Sequence, residues 1–257
     1  MKKLFLAVFA VIGMATAANA ADMAVKARPL PPPAPIFSWT GFYIGAHVGG
    51  AWFDKDWFVP LTPINIAGGC AGCPAPAGGH NASSWLAGGQ IGFNYQTGMW
   101  VLGVEADGSW TDLNGSNVNP QAPFLRNNSK TDAIGTFAGR VGIAANQALF
   151  YVKGGGAVAN DRFFTSFVAP PGLVPQSVDD TRWGWMVGVG IEYAFTPNWS
   201  VKAEYNYLDF GTFRETVQPT GVVAALPFQY DVRQRMDLVK VGLNYRFGWA
   251  GPVVAKY

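Results

Sequence analysis

Eight segments of this chain alternate large apolar residues with small or polar ones at a period of two, and the connections between them alternate short and long. From Trp39 to Trp52, Phe42, Ile44, Ala46, Val48 and Trp52 share one face, while Gly41, Tyr43, Gly45, His47 and Gly49 share the other. That is the period of a β-strand. The pattern recurs over Trp85 to Tyr95, Trp100 to Trp110, Ala133 to Ile143, Leu149 to Val158, Trp183 to Phe195, Trp199 to Tyr207 and Met236 to Phe247. Each segment is long enough for a tilted strand to cross a bilayer, which takes about 9–11 residues.

The connections Gln96 to Met99, Ala144 to Ala148 and Thr196 to Asn198 are short, whereas those covering Phe53 to Ser84, Thr111 to Asp132, Ala159 to Arg182 and Asp209 to Arg235 are long. Bacterial membrane barrels have short periplasmic turns and long extracellular loops, and eight strands with both termini inside need three of the first and four of the second. Charged residues are only 13% of the chain, against about 25% in soluble domains, while aromatics are 14% and glycines number 32. So little charge cannot clothe a water-facing surface. Beyond the first residues no run of apolar residues is long enough for a transmembrane helix, and hydrocarbon offers no partner to an open sheet edge, so the sheet must close. The expected fold is all-β, an eight-stranded antiparallel transmembrane β-barrel behind an N-terminal signal peptide.

The signal peptide is read from Met1-Lys2-Lys3, an uncharged apolar run from Leu4 to Ala18, and the small residues of Ala18-Asn19-Ala20, with cleavage expected after Ala20. Residues 21–38, with Pro29, Pro31, Pro32, Pro33 and Pro35, form an extended periplasmic linker. The barrel is assigned to residues 39–247, and residues 248–257 form a tail. Loss of Lys2 and Lys3 lowers Lys+Arg from 18 to 16 against 16 Asp+Glu, so the mature chain is formally neutral and carries no basic footprint for nucleic acid.

If the first strand runs outward from Trp39, the outward aromatic residues fall at two levels. Trp52, Trp85, Trp110, Trp183 and Trp185 mark the extracellular end, and Tyr95, Trp100, Tyr193, Trp199, Tyr245 and Phe247 the periplasmic end. Amphipathic rings favour the headgroup level, so these are read as two girdles. The opposite face carries Glu105, Asp107, Arg140, Lys153, Glu192, Lys202, Glu204, Lys240 and Arg246, with Gln90, Asn94, Asn206, Asn244 and His47 beside them. Five bases meet four acids in an interior just wide enough for side chains, so a polar plug is expected. Inward glycines such as Gly88, Gly92, Gly155 and Gly190 leave room for those side chains, and the same groups could line a narrow solute path.

No G-x-S-x-G or H-E-x-x-H motif occurs, and His47 and His80 lie far apart, so no catalytic residue, metal or cofactor is assigned. Cys70 and Cys73 lie in the first long loop, where an oxidising compartment favours a local disulfide. A zinc site there needs two further ligands, and only His80 is near. The remaining loops are rich in Asn, Pro and Gly and read as exposed surface, with the strands around Gly221 to Tyr230 projecting as a hairpin.

The segments Trp39-Thr40-Gly41-Phe42-Tyr43-Ile44-Gly45, Gly139-Arg140-Val141-Gly142, Glu204-Tyr205-Asn206-Tyr207-Leu208-Asp209-Phe210-Gly211 and Val241-Gly242-Leu243-Asn244-Tyr245-Arg246-Phe247 resemble the porin-like, immunogenic outer-membrane proteins of alphaproteobacteria and, more distantly, the OmpA-type eight-stranded domain. The resemblance covers essentially the whole mature chain. It implies an abundant surface protein supporting envelope integrity, held in outer-membrane lipid and inserted by the barrel-assembly machinery. Some relatives are regarded as small-solute pores and others as haem binders, so a narrow porin and a loop-borne receptor or adhesin stand as alternatives, and none of these roles transfers to named residues. Oligomeric state is unassigned. Such proteins usually end on the aromatic residue closing the last strand, whereas here Phe247 is followed by a tail ending at Tyr257.

Overall fold

Tight turns set the antiparallel register at one end of the molecule. Thr97 pairs with Trp100 across Gly98-Met99, and Ala145 pairs with Ala148 across Asn146-Gln147. The first residue of each turn has positive φ, 60° at Gly98 and 54° at Asn146, where glycine and asparagine are the residues that fit. The computed structural model describes residues 37–67, 72–118, 125–167, 176–217 and 228–247. The expected signal peptide, most of the linker, Cys70, most of the run from Gly221 to Tyr230 and the tail after Phe247 lie outside them.

The strands are β1 (Gly41–Val59), β2 (Ala75–Thr97), β3 (Trp100–Val118), β4 (Leu125–Ala145), β5 (Ala148–Phe167), β6 (Gln176–Ala194), β7 (Trp199–Val217) and β8 (Phe228–Arg246). A short helix, α1 (Pro63–Ala67), follows β1. Every strand pairs antiparallel with its sequence neighbour, and β1 pairs with β8, closing an eight-stranded barrel. The Phe247 amide donates to the Phe42 carbonyl at 2.9 Å, so the final aromatic residue still belongs to the closing seam.

The strands are much longer than the sequence pattern predicts. They run for 19 to 23 residues, and most of each expected long loop is strand. At about 3.3 Å per residue and a tilt near 40°, 19 residues rise nearly 50 Å, about twice the apolar band of a membrane barrel. Alternation persists through β1, with Phe53, Lys55, Trp57 and Val59 inside and Asp54 and Asp56 outside, but above Trp52 the outer face turns charged. The strand therefore continues after its amphipathic signature has reversed.

Closure does not extend over the full height. Among the described residues the β2–β3 ladder ends at Leu86 with Thr111, and the β6–β7 ladder at Trp185 with Asp209. The other six ladders continue: β1–β2 to Val59, β3–β4 to Val118, β7–β8 to Val217. Above the upper aromatic level the barrel thus divides into two four-stranded sheets, β7-β8-β1-β2 and β3-β4-β5-β6, with two seams on opposite sides. Register shifts at Trp110/Leu113, Thr131/Ala133 and Asp209/Thr212 lie at this same transition, where bulges bend the strands.

Candidate functional site

Inward parity gathers the predicted lumen residues into one network. Glu105 on β3 accepts from Lys153 Nζ at 2.9 Å, Lys202 Nζ at 3.0 Å and the Tyr43 hydroxyl at 2.8 Å. Glu204 on β7 accepts from the same two ammonium groups, at 2.9 and 3.0 Å, and from the Tyr151 hydroxyl at 2.6 Å. Toward the hairpin end, Lys240 donates to Asp107 at 2.6 Å, and the Thr136 hydroxyl donates to the same carboxylate at 2.5 Å.

Toward the turn end, Arg140 donates to Glu192 at 3.3 Å and to Asn94 at 2.8 Å, with Glu105 3.6 Å away. Its guanidinium sits 4.8 Å from the ring centres of both Tyr43 and Tyr151. Glu192 also accepts from Ser200 at 2.5 Å and Asn244 at 2.8 Å. Asn244 accepts from Gln90 at 2.7 Å, and the His47 ring nitrogens meet Gln90 and Ser109 at 2.5 and 2.8 Å. The network is held by side chains from all eight strands.

Arg246 stands apart from it. Its guanidinium donates to the Pro197 carbonyl at 2.6 Å and lies 4.4 Å from the Phe37 ring centre, at the turn end. The expected five bases against four acids therefore resolve into a neutral set. Glu105, Asp107, Glu192 and Glu204 face Arg140, Lys153, Lys202 and Lys240, and all eight are buried. Neutrality is what a low-dielectric lumen favours, because an unbalanced charge there has no solvent to spread into.

Apolar layers close the lumen on both sides of this network. On the turn side, Trp39, Val101, Leu149 and Ala194 pack together, with Phe37 against them. The Trp39 indole N–H donates to the Asn146 carbonyl at 3.2 Å and its main-chain N–H to Gln96 Oε1 at 2.7 Å. Trp39, the first residue of the expected barrel, thus forms a stopper in the mouth together with Phe37 from the end of the expected linker. On the hairpin side a thicker layer includes Phe53, Leu86, Leu113, Ile134, Met186, Leu208, Met236 and Leu238. The inward glycines do not hold the lumen open. A Cβ on Gly155 would lie 2.0 Å from the Phe137 carbonyl oxygen, and one on Gly92 2.3 Å from the Tyr43 hydroxyl, so their space is already taken.

Above the apolar layer lies a second ionic group, in segments that the sequence pattern predicts to be loops. Lys55 on β1 meets Asp161 on β5 at 3.4 Å, Arg182 on β6 meets the same carboxylate at 3.6 Å, and the Thr131 hydroxyl donates to it. Lys55, Asp161 and Arg182 follow the inward parity of their strands, which is the signal that could have found them, whereas Thr131 turns inward through the register shift at Thr131/Ala133. Lys55 and Asp161 belong to different four-stranded sheets, so their pair clasps the two halves. The seams themselves are crossed by side chains: the His80 ring of β2 lies against Gly115 of β3, and Arg182 of β6 against the Phe213 ring of β7. A cap of Trp57, Val59, Tyr230 and Val232 follows. In the first hairpin the buried Asn65 ties α1 to β8, donating to the Gln229 carbonyl at 3.0 Å and accepting from the Gln229 amide at 2.7 Å. Cys73 is disulfide-bonded.

The outer face carries the predicted aromatic residues where the strands were expected to present them. Trp52, Trp85, Trp110, Trp183 and Trp185 are exposed at one level, and Tyr95, Trp100, Tyr193, Trp199, Tyr245 and Phe247 at the other. Between them the wall is apolar, as Leu102, Val104, Phe137, Val187 and Val241 show. A profile of the outer membrane protein beta-barrel domain matches residues 6–247. The chain belongs to this family.

Its relatives include the 31 kDa outer-membrane immunogenic protein of Brucella melitensis, 32% identical over 263 residues that cover 96% of this chain and 100% of the relative. The 25 kDa outer-membrane immunogenic protein of Brucella abortus is 26% identical, covering 96% and 99% of the two chains. Among solved structures, the outer membrane protein OprG of Pseudomonas aeruginosa shares the fold with a TM-score of 0.52 at 13% identity, over 83% of this chain and 99% of that one. The protein is an outer-membrane β-barrel, with its short turns in the periplasm and its long hairpins outside the cell.

The clasp of this outer-membrane barrel lies above the membrane and titrates in an accessible range. Burial pushes the Lys55 ammonium down to about 8, with Asp161 pulling the other way. Between that value and its ordinary 10.5 the unfolded chain holds a proton that the folded chain does not, so Lys55 makes stability rise with pH across this window. Thermal unfolding followed between these two pH values should show the rise in the wild type and lose it in Lys55→Met. An equal rise in both would assign it to another group.

Proposed function

We propose that the protein is a structural and surface barrel of the envelope, without catalysis, whose lumen is sealed rather than conducting. The observation that carries this reading is the neutral, fully engaged ionic network between two apolar layers. Each of its four carboxylates meets a cation within 3.3 Å, so none stands poised as a general base. An ion entering from the periplasm would first have to displace Trp39 and then separate pairs whose members cannot rehydrate in place.

The purified full chain in planar bilayers is expected to give no stable conductance. Reproducible single channels would overturn the sealed reading and favour the narrow porin. The closed hydrogen-bonded sheet should also survive detergent until heated, so that boiled and unboiled samples migrate differently on a denaturing gel. Envelope support then rests on the membrane-embedded part, and contact with other surfaces on the four hairpins. Phe247, paired into the closing seam, is the aromatic end offered to the assembly machinery.

A further inference from the structure

The outer wall of the barrel carries a trough. Because neighbouring strands pair in register, outward residues form rows along the hydrogen-bond direction. One row reads Val104, Gly139, Gly154, Val187, Tyr207 and Asp237 from β3 to β8. The next row toward the turn end reads Leu102, Val141, Val152, Val189 and Tyr205. On the other side stand Phe137 and Trp185, both well exposed. Gly139 and Gly154 are direct cross-strand partners, and with no side chains on either they floor a depression of about 650 Å³ lined by Leu102, Val141, Val152, Val189, Tyr205 and Tyr207, with Phe137 and Trp185 standing beyond its other edge on either side of Gly156.

Packing within the protein does not require these two glycines. A Cβ on Gly139 would meet nothing within 4 Å, and one on Gly154 would touch only the Met186 carbonyl oxygen, at 3.6 Å, and Val187. Inward glycines such as Gly155 are different, since there a Cβ would strike backbone. The space above Gly139 and Gly154 is therefore space for something outside the barrel, and at this depth the surroundings are lipid.

We propose that the trough seats one acyl chain of an outer-leaflet lipopolysaccharide. The row is oblique to the membrane, because the strands tilt. It begins near mid-wall at Val104 and reaches the extracellular girdle at Tyr207 and Asp237. At that end the Tyr205 hydroxyl donates to Asp237 at 2.5 Å, so the trough turns polar where the headgroup of an outer-leaflet lipid begins. The ridges decide the shape of the occupant. Phe137, Trp185 and Tyr205 hold a flat neighbouring wall away from the glycine floor, whereas a thin flexible chain reaches it. Between apolar surfaces in hydrocarbon there is no hydrophobic gain, so retention depends on close van der Waals contact, which backbone exposed at small residues provides.

The test uses the full mature barrel in detergent, stripped of lipid and then offered either lipid A or phosphatidylethanolamine, with bound lipid counted by native mass spectrometry. Wild type and Gly108→Leu should retain lipid A in preference to the phospholipid. Gly108 is a fair control because a Cβ there also meets nothing within 4 Å, yet it does not line the trough. The double variant Gly139→Leu/Gly154→Leu should retain about tenfold less, the loss expected when several methylene contacts are forfeited. The unboiled gel shift confirms that each variant is folded. If the double variant does not fold, Gly139→Val alone should show a smaller loss in the same assay. Equal retention by all folded variants, no retention by wild type, or preference for phosphatidylethanolamine would each overturn the proposal.

Discussion

Replacing Glu105 with glutamine is expected to lower the temperature at which the folded barrel is lost by more than any surface substitution can. The side chain keeps its shape, but Lys153, Lys202 and Arg140, at 2.9, 3.0 and 3.6 Å, then share one negative charge fewer. Removing one partner of a buried ionic group costs roughly 3–5 kcal/mol, because the charge left behind cannot be solvated. The compensated variant Glu105→Gln/Lys202→Met returns the set to three acids and three bases and should recover most of the loss. The gel-shift transition temperature of Glu105→Gln, Lys202→Met and the double variant measures this directly. If the double variant is as unstable as the sum of the singles, packing and not charge balance governs the lumen.

The second large effect is expected at Trp39. Its ring is almost fully buried against Val101 and Leu149, Phe37 meets it edge-on at 5.1 Å, and Arg246 lies 5.2 Å from its ring centre. Trp39→Ala deletes the stopper and should cost about 3–5 kcal/mol by cavity formation. Trp39→Phe keeps most of the packing and loses the hydrogen bond to Asn146, for a loss nearer 1 kcal/mol. Amide exchange at the turn end should report the difference: fast in the alanine variant around Gln96 and Asn146, near wild type in the phenylalanine variant. Equal exchange in all three would mean that the mouth is closed by other groups.

The membrane-embedded half is legible because a lipid-facing strand must alternate apolar with polar and end on rings, as Trp100 to Trp110 does apart from the inward Val101 and the outward Gly108. The half above it departs from the predicted loops for a physical reason. Once outside the bilayer a strand is released from that code, so Asp54 and Asp56 on the outer face look like loop residues although Phe53, Lys55 and Trp57 keep strict inward parity. Parity alone places Arg246 with the lumen charges, and only the position of the chain ahead of β1 shows that Phe37 and Trp39 intercept it. The seams and the glycine trough depend on which residues lie across from one another, and Gly139 with Gly154 is a pairing set by register. No local pattern encodes it.

The division of the upper barrel into two sheets has a consequence for how such a protein can change over generations. Within the closed hoop every strand must agree in register with both neighbours, so one inserted residue would propagate a misfit around the whole circumference. Above Leu86 and Trp185 the seams interrupt that chain of agreement. A lengthened or shortened hairpin there disturbs only its own sheet, and the surface presented to the outside world can drift while the part held in lipid stays fixed.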